Sequence, residues 1–108
     1  MARTFYRVVR TNPPTRTDFL SNDAKGREPR DRDPEILRLW DGLSVYDSAT
    51  RARQQARRYR GMGRFIAALT IDDGDTIRLE KTMDDPRHYT LWGSPEAVLA
   101  LMTGIEPV

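Results

Sequence analysis

The chain contains no cysteine and a single histidine, His88. Without thiols there is no disulfide, no thiolate nucleophile and no Cys-based zinc site, and one imidazole does not build a multi-histidine metal centre. The expectation is therefore a domain with no metal. Lysine is scarce too: Lys25 and Lys81 are the only two among 18 basic residues. Such a bias follows from a GC-rich genome or from a need for planar donors that grip phosphate or carboxylate. No apolar run is long enough to span a bilayer, and none at the N-terminus resembles a signal peptide, so the expected compartment is the cytoplasm. The phosphate loop Gly-x-x-x-x-Gly-Lys and the dinucleotide fingerprint Gly-x-Gly-x-x-Gly are both missing. Gly61-Met62-Gly63 follows a helical segment instead of opening one. A Ser/His/acid triad would have to use His88, and no nucleophile elbow accompanies it.

What is present fits one small domain spanning residues 1–108. The chain has 108 residues, of which 38% are hydrophobic and 31% charged, with a net charge of only +2. A sequence pI near 9.3 overstates the basicity. On net charge alone, nucleic acid is an unlikely partner and a membrane is not expected.

The best-defined stretch is Gly42–Tyr59. Leu43 and Val45 alternate with Ser44 and Tyr46, which is strand periodicity. Asp47 or Ser48 then caps a helix whose Ala49, Ala52, Ala56 and Tyr59 share one side. The arginines between Arg51 and Arg60 occupy the rest of its surface. Before it, Thr4–Thr11 reads as a strand with Phe5, Arg7 and Val9 on one face and Tyr6, Val8 and Arg10 on the other. An arginine in that position either reaches water at a strand end or lines a pocket. A short helical signal covers residues 15–22. Residues 23–33 carry alternating charges without apolar periodicity and read as an exposed loop, either a connector or a lid. Asp33-Pro34 restarts order as N-cap and first helical residue, with Ile36, Leu37 and Trp40 as an apolar side.

After Gly61-Met62-Gly63, Arg64–Ile71 is the most apolar strand. The turn Asp72-Asp73-Gly74-Asp75 leads into Thr76–Thr82, expected as its antiparallel partner. That turn is too short for a calcium loop. His88–Trp92 is a further strand. Ser94-Pro95-Glu96 opens a last helix that Gly104 ends, leaving a tail. Hairpin strands in the second half argue for α+β: a mixed or mostly antiparallel sheet of about five strands with three or four helices.

Tyr6-Arg7-Val8-Val9 on a first strand, followed by Gly42-Leu43-Ser44-Val45-Tyr46-Asp47-Ser48 running into an alanine-striped helix, resembles the core of the ADP-ribosyltransferase-like fold. The similarity is in style to its small bacterial toxin-related branches, including the RES-type NAD-degrading toxins. The resemblance implies NAD as co-substrate, held by Arg7, with Ser44 and Tyr46 as the second motif. It implies Glu80, or alternatively Glu96, as the acid that stabilises charge on the ribose while nicotinamide leaves. His88 and Tyr89 are further pocket candidates. The rival reading is a non-catalytic binding module, which meets a protein partner through residues such as Tyr89 and Trp92, or RNA or DNA through the Arg51–Arg60 helix.

Overall fold

The computed structural model describes residues 2–108. Six strands form one antiparallel sheet: β1 (Arg3–Val9), β2 (Leu43–Tyr46), β3 (Phe65–Ile71), β4 (Arg78–Lys81), β5 (His88–Trp92) and β6 (Met102–Pro107). The spatial order is β4-β5-β2-β1-β3-β6. Both β2 and β3 run antiparallel to β1 and flank it, so they run parallel to each other. Parallel strands need a crossover, and the helix α2 (Ala49–Arg58) supplies it. The helices α1 (Pro34–Trp40) and α3 (Pro95–Leu99) complete an α+β domain.

The helix starts follow from local chemistry. Ser48 accepts from the Arg51 amide at 3.2 Å, Asp33 from Glu35 at 2.9 Å and Ser94 from Ala97 at 3.1 Å. Proline occupies the first turn of both α1 and α3, where its missing N–H costs nothing.

Strand alternation divides the interior in two. Phe5, Val9, Leu43, Val45, Leu69 and Leu91 form the first core with Phe19 and Val98. Val8, Tyr46 and Ile66 form the second, closed by Ala52 and Ala56 of α2. Alanines there let the helix sit close to the sheet. β3 contributes to both cores and is paired on both sides, as its two apolar faces require.

Four expectations are corrected. The segment Thr76–Thr82 does not pair with β3. Its strand β4 crosses to the far edge and pairs with β5, while Ile77 packs against the first core. The last helix stops at Leu99, and the supposed tail belongs to β6, where Gly104 faces Ala68 instead of ending a helix. On α1, Ile36 and Leu37 are each 38% exposed, so they do not form a buried side. Tyr59 lies beyond the last turn of α2 and is 53% exposed. Tyrosine at that position does not continue the alanine stripe, because the backbone has already left the helix at φ −120, ψ 81.

Candidate functional site

The sheet is not evenly zipped. β1 pairs with β3 along its whole length, from Arg3↔Ile71 to Val9↔Phe65, but with β2 only at Tyr6↔Tyr46. Beyond that pair the two strands part, and the Arg7 side chain fills the opening. Its Nε donates to the Asp18 carbonyl at 3.0 Å and its Nη1 to the Ser44 carbonyl at 2.9 Å. Burial lowers the guanidinium pKa to about 10, against the attraction of Asp18 and Tyr46. It stays charged at neutral pH.

A cleft of about 280 Å³ lies at this opening, lined by Arg7, Arg10, Asp18, Lys25, Arg27 and Met62 among others. A smaller polar hollow of about 80 Å³ adjoins it and shares Arg7 and Lys25, with Asn22 and Ser44 on its far wall. Four basic residues thus line one recess together with Asp18. The Lys25 ammonium is held below its usual range by partial burial, then by the charges of Arg27, Arg7 and Arg10, with Asp18 opposing. Asp18 does not neutralise the group freely. Its carboxylate accepts from the Arg10 amide at 2.8 Å, the Thr15 amide at 3.0 Å and the Thr11 hydroxyl at 2.5 Å, so it braces the turn after β1. Arg7 is largely withdrawn from water while Arg10, Lys25 and Arg27 are exposed around it, and the repulsion among these like charges is relieved when an anion enters.

The loop 23–33 contributes directly to the cleft. Its turn is closed by the Gly26 amide donating to the Asp23 carbonyl at 2.9 Å, with Gly26 at φ 75. The Trp40 indole donates to the Arg27 carbonyl at 2.7 Å and ties the loop to α1. Lys25 and Arg27 were not singled out by the sequence. Their one signal was the grouping of two cations around a glycine in a loop already noted as a lid candidate.

The four residues expected from the sequence separate into two places. Arg7 points to the face of the first core. The Ser44 hydroxyl, Tyr46 and Glu80 belong to the opposite face, since Glu80 is level with Thr90, and Thr90 with Ser44. Arg7 meets Ser44 only through the backbone carbonyl. Tyr46 is buried beneath α2, and burial raises its phenol pKa. Glu80 is held by Arg38 at 2.6 Å and Arg78 at 2.9 Å. Glu96 is on the surface, paired with Arg16. Arg7 and Glu80 therefore do not share a cleft.

Ser44 instead joins a polar row with His88. The His88 Nδ1 lies 3.2 Å from the Thr82 carbonyl, an acceptor, so Nδ1 carries the proton and Nε2 accepts from the Ser44 hydroxyl at 3.0 Å. Thr82 and Thr90 hydroxyls continue the row at 2.6 Å. The nearby Asp85 carboxylate is committed to Arg51 at 2.8 Å. Tyr89 packs edge-on against Phe5, and the Trp92 indole donates to the Arg38 carbonyl at 3.0 Å. No helix among the described residues is long and apolar enough to cross a membrane.

No family model, curated protein or solved structure matches the chain.

Proposed function

We propose that the Arg7 cleft binds the phosphates of a nucleotide, and that a pyrophosphate such as that of NAD or a related dinucleotide is the ligand class it suits. The observation that carries this reading is that Arg7, Arg10, Lys25 and Arg27 line one recess, with no carboxylate in an ion pair with any of them among the described residues. Guanidinium groups in a half-enclosed site make charge-assisted hydrogen bonds to phosphate oxygens. With Nε and Nη1 anchored, Arg7 is held in place before a ligand arrives, so little entropy is lost on binding. A cleft of about 280 Å³ is at the small end of ligand sites, matching a diphosphate with the rest of the nucleotide outside.

The reading is one of binding and not of nicotinamide–ribose cleavage. An oxocarbenium-like state needs a carboxylate beside the breaking bond, and Glu80 faces the other side of the sheet in ion pairs with Arg38 and Arg78. The test is calorimetric titration with NAD, ADP-ribose and inorganic pyrophosphate, alongside an assay of nicotinamide release. Binding of all three without release is expected, with Lys25→Ala and Arg27→Ala each weakening it about fivefold. Absence of binding at low salt, or release that depends on Glu80, would overturn the reading.

A further inference from the structure

The charges of this protein nearly cancel in number but not in space. The acidic turns around Asp72–Asp75 and Asp84–Asp85 lie at the end of the sheet where β1 begins, since Arg3 is level with Ile71 and Tyr46 with His88. Apart from Arg3 and Lys81, which lie near the acidic end, a group of cations without ion pairs among the described residues gathers at the opposite end, where β1 finishes. Arg51 and Arg53 on the early turns of α2 are neutralised by Asp85 and Glu106. Arg57, Arg58, Arg60 and Arg64 form no ion pair among the described residues, and neither do Arg10, Lys25 and Arg27. Arg57 and Arg58 suit the negative end of the α2 dipole, but Arg60 and Arg64 lie beyond the helix and have no such reason to be there.

Three contacts join this group to the Arg7 cleft. The Arg10 guanidinium donates to the Gly61 carbonyl at 2.7 Å, and the Arg64 amide donates to the Val9 carbonyl at 3.1 Å. Gly63, at φ 151, lies so close to β1 that a Cβ there would sit 2.3 Å from the Val9 oxygen. Met62 lines the cleft from the same turn. A second recess of about 480 Å³, where Arg57, Arg60 and Arg64 surround a floor that includes Ala56, Pro107 and Val108, follows on the other side of the turn. Tyr59, at the end of α2 where this turn begins, is 53% exposed, with the Arg58 guanidinium 5.3 Å from its ring centre.

We propose that this end of the sheet is a track for single-stranded nucleic acid, with phosphates in the two basic recesses and a base stacked on Tyr59. The proposal rests on the phosphate reading of the Arg7 cleft for one of its anchors. Basic recesses with an exposed aromatic ring on the turn that joins them suit an unpaired strand, whose bases are free to stack. A duplex buries those faces and offers Tyr59 nothing. A small dinucleotide explains the first recess but leaves Tyr59 and the second without a role.

The test is fluorescence anisotropy with a labelled single-stranded oligothymidylate of about 12 nucleotides, the matching duplex and, separately, inorganic pyrophosphate. Binding of the single strand is expected, with a logarithmic salt slope of about −3 for about four phosphates. Tyr59→Ala and the double variant Arg57→Ala/Arg60→Ala each weaken it about tenfold and leave pyrophosphate binding unchanged. Lys25→Ala weakens both ligands. Pyrophosphate binding without strand binding, a duplex bound as tightly as the strand, or indifference to Tyr59→Ala would overturn the track alone. Strand binding that survives while pyrophosphate fails to bind would overturn the reading of the Arg7 cleft alone.

Discussion

The Arg7 guanidinium donates to the Ser44 carbonyl at 2.9 Å across the opening between β1 and β2, where a ladder of backbone hydrogen bonds would otherwise run. A side chain thus takes over the work of the sheet at the point where the sheet opens. Arg7 is structural and, in the proposed function, ligand-binding at once. Arg7→Ala leaves two carbonyls without their donor and is expected to cost about 2–3 kcal/mol, lowering the melting temperature by about 10 °C. Arg7→Lys should not restore it, since one ammonium cannot span both carbonyls. Thermal unfolding followed by circular dichroism checks this. Ligand effects are accordingly better read from Lys25 and Arg27.

Glu80 provides the contrast. Its ion pairs with Arg38 and Arg78 sit at a partly exposed edge, where such pairs contribute about 1 kcal/mol or less. Glu80→Gln is expected to shift the melting temperature by only a few degrees and to leave pyrophosphate affinity unchanged. A loss of affinity comparable to that from Lys25→Ala would place the acid in the site after all.

Much of this architecture could be read from residues alone, and the failures have physical causes. Leu43 and Val45 marked β2, and Ser48, Asp33 and Ser94 marked the helix starts because capping is local chemistry. β6 was hidden because Gly104 and Pro107 are poor strand residues. Only pairing with β3 makes that segment a strand. The site was half legible. Arg7 stood out on its strand and does line a cleft, but alternation decides which face a residue occupies, and strand order decides who its neighbours are. Glu80 lies two strands from Ser44 because β4 crosses to the far edge, which no local pattern records. Net charge is silent on this arrangement for a similar reason, since it counts Arg60 and Asp73 together although they lie at opposite ends of the sheet.

His88 makes a clean pH probe, being the only histidine. Burial lowers its pKa from 6.5, outweighing the Thr82 carbonyl and Asp85. The folded state thus prefers neutral imidazole more than the unfolded state does. Its contribution to stability is complete above pH 6.5 and is lost as the pH falls through the lower folded value. A proton NMR titration of the single imidazole should give a midpoint below 6.5. A midpoint at or above 6.5 would contradict the dominance of burial over the Thr82 carbonyl and Asp85.

Asp18 operates in a more acid window. Burial acts to raise its pKa, but hydrogen bonds from Thr11, Thr15 and Arg10, together with the charge of Arg7, hold it below 3.8. Its contribution is present above the unfolded value and disappears as the pH falls through the folded one. Asp18→Asn should therefore destabilise by about 1–3 kcal/mol at pH 7, and the difference from the unsubstituted protein should shrink below pH 4. Urea unfolding at both pH values measures it.

The most direct test of the central claim is to watch the arginine side chains themselves. In a nitrogen–proton NMR titration with inorganic pyrophosphate, the Arg7 Nε–H and the backbone amides of Arg10, Lys25 and Arg27 are expected to move together and saturate at one affinity. Shifts confined to Arg38 and Arg78 on the opposite face, or no shifts at low salt, would contradict a phosphate site at the opening between β1 and β2.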